Sequence, residues 1–344
     1  MPELREALDE ALADVPPARL AESVQRLIAD YRGGRPADEP LLRGMVDATA
    51  YAAYRMPATH AAVTAALGQL SPIAPRSHTD LGGGTGAAAW AVRDVYGPIP
   101  ATVLDQVPEV LKLGERIARR EGFRWQPWRL GEPVPAADLV TASYILTELD
   151  EQRQRELVAA ASEAAAVAVV LIEPGTPPGY RRMLAARDQL IEAGWHIAAP
   201  CPHQLGCGMR GRDWCHFAAR VNRSALHRRL KDASLGYEDE KYTFVAAVRD
   251  AAPAPGRIVR HPAFRKGLVT LQVCHGDTGV GPVLVSKREG PRYKAARDAE
   301  WGDGWPPPHS TVDFQQLVRR EPRPFRAGRN AVTDRDVSGF RCTP

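Results

Sequence analysis

Between residues 201 and 217 the chain reads CPHQLGCGMRGRDWCHF, which holds three of the five cysteines of a 344-residue sequence, together with two histidines. Cys201, Cys207 and Cys215 are separated by five and seven residues, Cys274 follows after another 58, and Cys342 stands alone near the end. Thiolates are soft ligands that suit zinc and iron–sulfur clusters. The C-x2-C pairs usual in structural zinc sites do not occur in this stretch. An iron–sulfur cluster takes four thiolates from irregularly spaced loops, and Pro202 after Cys201 repeats the Cys-Pro of bacterial ferredoxin loops. Structural thiols are common singly, but this segment is polar and rich in Gly, His and Arg, so it reads as a metal-binding loop. Spacing alone leaves iron–sulfur and zinc both open, with His203 or His216 as possible zinc ligands.

A second constellation lies in TDLGGGTGAAAW, which sets Asp80, Gly82, Gly84 and Gly86 where a strand ends and a helix opens. Glycines there let the backbone approach a ligand, and a helix N-terminus favours negative charge. The next strand, ATVLDQ, supplies Asp105, a carboxylate placed to accept both hydroxyls of a ribose. The D-x-G-x-G-x-G spacing resembles motif I of class I S-adenosylmethionine-dependent methyltransferases, which makes Asp80, Gly82, Gly84, Gly86 and Asp105 the cofactor-binding candidates. The catalytic side is thinner. ADLVTASYILTELD contains no Asn/Asp-Pro-Pro-Tyr box, and no cysteine sits in the Pro-Cys or Thr-Cys context of carbon-5 pyrimidine methyltransferases. Glu148 and Glu173 fall at strand ends and read either as a general base or as caps of the helices that follow, capping being the preferred reading. No residue is assigned a catalytic role.

The elements that must position these groups alternate. Short apolar runs predict strands at 76–81, 101–105, 124–130, 138–146 and 166–173, with helices at 85–96, 107–121, 149–163 and 177–194 between them. That rhythm predicts a parallel sheet covered on both faces. CHFAARV and KYTFVAAVRD continue the sheet through a helix SALHRRLKDAS, and two helix pairs precede it, the second broken around Pro57. The reading divides the chain into an N-terminal helical region (1–70), a class I methyltransferase-like (Rossmann-like) α/β domain (71–251) with the Cys-rich loop 200–217, a small β-rich basic extension (252–305) and a loosely ordered tail (306–344).

Composition bounds the partners. A hydrophobic share of 44% with 25% charged residues is that of a globular protein in water. The longest apolar run, AAAVAVVLI, is too short to cross a bilayer, and the charged start lacks a signal-peptide core. The expectation is a cytoplasmic monomer without membrane partners, whose thiols stay reduced. Residues 201–344 hold 25 Lys+Arg against 15 Asp+Glu (+10), leaving 20 against 26 (−6) for residues 1–200. Arg-rich stretches at 227–231, 257–266, 287–297 and 319–329, interleaved with aromatics, suit phosphates and stacked bases.

Longer motifs run in a defined order: AYAAYRMPATHAA, DLGGGTG, LIEPGTPPGY, APCPHQLGCGMRGRDWCHF, HRRLK, LGYEDEKYTF, RHPAFRKGLVTLQVC and WGDGW. Over about residues 40–305 this order resembles the methyltransferase-like small-ribosomal-subunit assembly family, which has a mitochondrial member and bacterial relatives. The resemblance implies a class I methyltransferase fold, a [4Fe–4S] cluster on Cys201, Cys207, Cys215 and Cys274, and action on the small ribosomal subunit and its rRNA. An active rRNA methyltransferase and a zinc-stapled small-molecule methyltransferase stand as alternative functions.

Overall fold

A computed structural model of the chain describes residues 2–13, 15–16, 20, 22–26, 44–70, 73–209, 212–222, 236–250, 255–276 and 279–307. The helices that come first include α1 (Pro2–Leu12), α2 (Met45–Tyr54) and α3 (Met56–Leu67). Leu4, Leu8 and Leu12 share one stripe of α1 and are buried, the spacing by which a helix turns one face to a core. Pro57 sits in the first turn of α3, where its missing N–H costs nothing, and the break falls at Arg55.

The main sheet is built from β1 (His78–Leu81), β2 (Ala101–Asp105), β3 (Arg124–Pro127), β4 (Ala137–Ser143), β5 (Ala165–Pro174), β6 (His196–Ala199), β7 (Phe217–Asn222) and β8 (Tyr237–Val248). Its order is β3-β2-β1-β4-β5-β8-β6, with β7 also on β8. β1 to β5 pair in parallel, joined by α4 (Ala87–Tyr96), α5 (Pro108–Ile117) and α6 (Glu151–Ala164), while α7 (Pro177–Glu192) leads on to β6. Alternation along β5 fixes the two faces. Val169 and Leu171 pack with Leu157, Val158, Met183 and Leu190 of α6 and α7. Val170 and Ile172 pack with Ala62, Val63, Ala88 and Val92 of α3 and α4.

β8 runs antiparallel to β5, and its other edge carries two strands end to end. β6 takes Ala246 to Val248, and β7 takes Tyr237 to Tyr242. These are two lengths of one edge line, parted by residues 200–216 opposite Thr243–Val245. The cysteine stretch is thus an excursion out of the sheet edge. The four-residue β6 escaped the sequence reading, because its partner lies some 50 residues downstream. The predicted helix at 224–234 lies outside the described residues, as do 308–344 of the predicted tail.

A second sheet follows, with β11 (Leu268–His275) at its centre, β12 (Gly279–Ser286) on one edge, and β9 (Gly256–Ile258) and β10 (Ala263–Arg265) sharing the other. Val269, Leu271 and Val273 face its own core with Ile258, Val285 and Trp305 and with Ala296 of α8 (Pro291–Asp298). Cys274, next along the strand, therefore points to the opposite face.

Candidate functional site

The glycine loop closes β1 into α4, and its geometry is enforced from below. A Cβ on Gly83 would overlap the Asp80 carboxylate and approach Val103 to 2.7 Å, and one on Gly86 would come within 2.7 Å of the Trp125 ring. Gly82, Gly84 and Gly86 hold φ of 61°, 57° and 86°, which glycine alone adopts freely. Gly84 differs from its neighbours. A side chain there would meet only Val110 and Tyr51, at 3.8 and 3.9 Å, so its glycine answers to backbone shape and to whatever lies over the loop.

Four carboxylates gather at the carboxyl edge of the parallel strands, the edge at which open α/β sheets bind ligands. Asp80 is buried; one oxygen accepts from Thr141 Oγ1 at 2.7 Å, and Oδ2 is buried without a partner. Burial lifts its pKa to about 7. Asp105 accepts from the N–H groups of Gly84 (3.0 Å) and Val107 (2.9 Å), which oppose the upward pull of burial. Glu148 is raised to about 8 by burial and by the charges of Asp105 and Glu173. Glu173 is fully buried, accepts from Arg182 Nε at 2.7 Å and Thr147 N at 3.2 Å, and is lifted by burial to about 7.

The capping expected of these two glutamates falls to other residues. Asp150 caps α6 through Arg153 N, and Thr176 caps α7 through Gly179 N. Glu173 instead braces the short 3-10 turn Leu146–Glu148 that carries Glu148. The N-terminal helices add groups that lie within the motif AYAAYRMPATHAA but that the sequence does not single out as site residues. Tyr51 of α2 stands over Gly84. Arg55 forms a two-pronged ion pair with Glu240 (2.9 and 3.0 Å) and lies 4.6 Å over the Tyr144 ring. Tyr144, buried with φ of 63°, donates to the same glutamate at 2.9 Å. This strained residue just past β4 is the kind of feature that marks functional edges.

The second constellation forms where the edge loop meets the extension. Cys201, Cys207, Cys215 and Cys274 line one cavity with His203, and about 530 Å³ around them holds no atoms, part of it open to solvent. Cys274 is buried, and burial with the charges of Cys201 and Cys207 pushes its thiol up to about 12. Cys215 is driven up by burial and by the other three thiols, and Cys201 by burial against the pull of Arg187. Tyr180 donates to Cys207 Sγ at 3.0 Å, and His203 Nε2 stands 3.8 Å from Cys274 Sγ. Among the described residues, no group of three or more Cys, His, Asp or Glu is drawn together tightly enough to hold a metal ion. The thiols ring a cavity.

His216, the other histidine weighed as a ligand, does not line it. Its ring stacks on Trp214 and meets Trp301 edge-on, both at 5.1 Å, and Nδ1 faces the Trp214 carbonyl. Cys342 lies outside the described residues, with the 227–231 arginines. Arg257, counted by its sequence neighbours as basic surface, is 4% exposed. Exposed cations collect instead at the far end of β11, where Arg265 and Lys266 precede the strand and Lys287 and Arg288 follow β12. The Lys287 N–H bonds the Gly267 carbonyl at 2.8 Å, which holds the two pairs side by side.

Strand order, glycine turn and acidic carboxyl edge define a class I methyltransferase-like α/β protein. Solved structures with low overall similarity include an O-methyltransferase family protein from Burkholderia thailandensis (14% identity, 67% of this chain and 72% of that one, TM-score 0.44). Another is human N-acetylserotonin methyltransferase (15%, 71% and 70%, TM-score 0.38). The chain belongs to the family of the mitochondrial small ribosomal subunit protein Rsm22, whose model matches residues 45–306. It is 25% identical over 283 residues to the human mitochondrial ribosome assembly protein METTL17, covering 74% of this chain and 61% of that one. It is also 25% identical over 218 residues to the mitochondrial Rsm22-cox11 tandem protein 2 of Schizosaccharomyces pombe, of which it spans 29%. No described helix is long and apolar enough to cross a membrane.

Proposed function

We propose that this chain is a small-subunit ribosome assembly factor that binds ribosomal RNA, holds a [4Fe–4S] cluster on Cys201, Cys207, Cys215 and Cys274, and takes S-adenosylmethionine at the glycine loop. It acts as a cytoplasmic monomer in four parts, 1–70, 71–251, 252–305 and 306–344. The observation that carries the reading is convergence: three cysteines of an edge loop and one of the extension's central strand line one cavity. A centre held there ties the extension to the sheet. The donor set fits, being four thiols with a hydroxyl donating to one sulfur, as outer partners do around such clusters.

The cofactor pocket also fits its ligand. Asp80 Oδ2 is a buried acceptor awaiting a donor, Asp105 accepts from the Gly84 N–H and so stands at the loop, and an acidic edge suits a molecule with a sulfonium and an ammonium. Adenosylmethionine supplies an electrophilic methyl group when bound. The polar groups just beyond β4, however, already satisfy one another, since Tyr144 and Arg55 both close on Glu240. This favours an RNA-binding platform over an active methyltransferase. The cations Arg265, Lys266, Lys287 and Arg288 supply phosphate contacts.

Anaerobic purification tests the reading. Iron and sulfide in equal amounts near four per chain, with broad absorbance near 400 nm, are expected. Salt-dependent binding to small-subunit rRNA is expected alongside. Colourless zinc-loaded protein defeats the iron–sulfur part, and absent rRNA binding defeats the assembly part.

A further inference from the structure

Two guanidinium groups are buried against the thiol cavity, and among the described residues neither has a buried carboxylate bonded to it. Arg257 is 4% exposed and donates to the carbonyls of Pro200 (3.2 Å), Gly302 (2.9 Å) and Gln69 (3.2 Å). The Asp303 charge acts on it from beyond those bonds. Arg187 is 3% exposed and donates to the His203 carbonyl at 3.0 Å. Among the described residues its carboxylate partner is Asp188, at 3.0 Å, whose side chain is 65% exposed to solvent. Among the described residues the Arg187 Nε–H is buried without a hydrogen-bond acceptor, and the guanidinium acts on the Cys201 thiol.

A buried charge left uncompensated is costly, and native proteins pair it. Carbonyl dipoles orient these cations without neutralising them. Arg187 lines the cavity itself, while Arg257 hangs from Pro200, the residue before Cys201. Four thiolates around a doubly charged metal ion or cluster core make a dianion. Two cations and one dianion balance.

We infer that Arg187 and Arg257 are the built-in counter-charges of a thiolate-held dianionic centre, so the cavity selects its occupant by charge as well as by sulfur. The inference rests on the thiol-centre reading above but not on its being iron–sulfur, because tetrathiolate zinc carries the same charge. Removing either cation should weaken the hold on the centre even where the carbonyl ties are otherwise tolerated. Lysine separates the two roles: it keeps the charge and loses the fork that serves several carbonyls.

The experiment compares the full-length chain with Arg187→Met, Arg187→Lys, Arg257→Met and Arg257→Lys. Each is stripped of metal and reloaded anaerobically with zinc alone, or with iron and sulfide. Chelator competition gives the affinity, and Tm is read before and after loading. The methionine variants should lose about 10- to 100-fold in affinity, the range for groups that act through metal ligands. They should also gain less Tm on loading than the wild type, while the lysine variants recover most of the affinity without recovering the metal-free Tm. Equal affinity in the Met and Lys variants overturns the counter-charge role. A wild type that takes up neither zinc nor iron and sulfide overturns the thiol centre and this inference together. Uptake of zinc alone, with the same Met-to-Lys difference, upholds the counter-charges and removes the iron–sulfur identity.

Discussion

The glycine-loop pocket and the thiol cavity are opposites in charge and in construction. Four carboxylates crowd the first, and two buried guanidinia flank the second. The pocket is made by consecutive strand–helix turns of a single sheet, so its shape exists as soon as the sheet does. The cavity is made by segments from α7, the edge loop and β11, and under the proposed thiol centre their hold on one another depends on what the thiols bind. On that proposal one site is preformed and the other is closed by its occupant.

The sharpest break in that contrast is Cys274→Ser. Metal binding and folding are coupled, so bound metal should be lost and Tm should drop, whereas Cys342→Ser leaves both unchanged; metal analysis and calorimetry read the result. Next comes the loop. Gly83→Ala drives a methyl group into Asp80 and Val103 and should cost about 1–3 kcal/mol by overpacking. Gly84→Ala makes only ordinary contacts with Val110 and Tyr51 and should cost about 1–2 kcal/mol through its left-handed φ. It should nevertheless abolish adenosylmethionine binding in calorimetry.

The acidic edge predicts a pH response. The raised carboxylates Asp80, Glu148 and Glu173 are protonated more readily in the folded chain than in the unfolded one. Their contribution to the stability of the ligand-free protein is then fully present below about pH 4 and is lost as pH rises through about 7 to 8. Glu148→Gln should flatten the upper part of that fall in thermal melts. A cationic ligand should bind more tightly over the same rise.

Smaller again is the charge effect on RNA. Neutralising Arg265, Lys266, Lys287 and Arg288 should reduce the salt slope of rRNA binding by about 0.7 per lost phosphate contact on single strands. Metal content should stay as in the wild type. The least is Asp150→Ala, a cap deletion of about 1 kcal/mol.

Much of the first region is legible in the sequence, because period-2 and period-3.6 patterns are local properties. β2 falls on the predicted 101–105, and α4 ends with the predicted helix at residue 96. The second region is legible only in its cysteines. Nothing near Arg257 in the chain tells that three carbonyls from distant segments converge on it. Glu148 and Glu173 looked like caps because they precede helices. Asp150 and Thr176 stand closer to the helix starts and take that role. Tyr51 and Arg55 sit in an alanine-rich helical stretch where no periodicity singles out a binding group.

The divided edge line of β6 and β7 has a further meaning. Strand edges with open N–H and C=O groups invite other chains to pair with them. Opposite Thr243–Val245 neither β6 nor β7 pairs with β8, and the excursion that carries Cys201, Cys207 and Cys215 roofs this gap. A centre on the thiols, as proposed, would therefore also keep an unfinished sheet shut. A chain that cannot hold its centre should pass through reversible self-association before it unfolds, visible as growth in light scattering at temperatures below its own melting point.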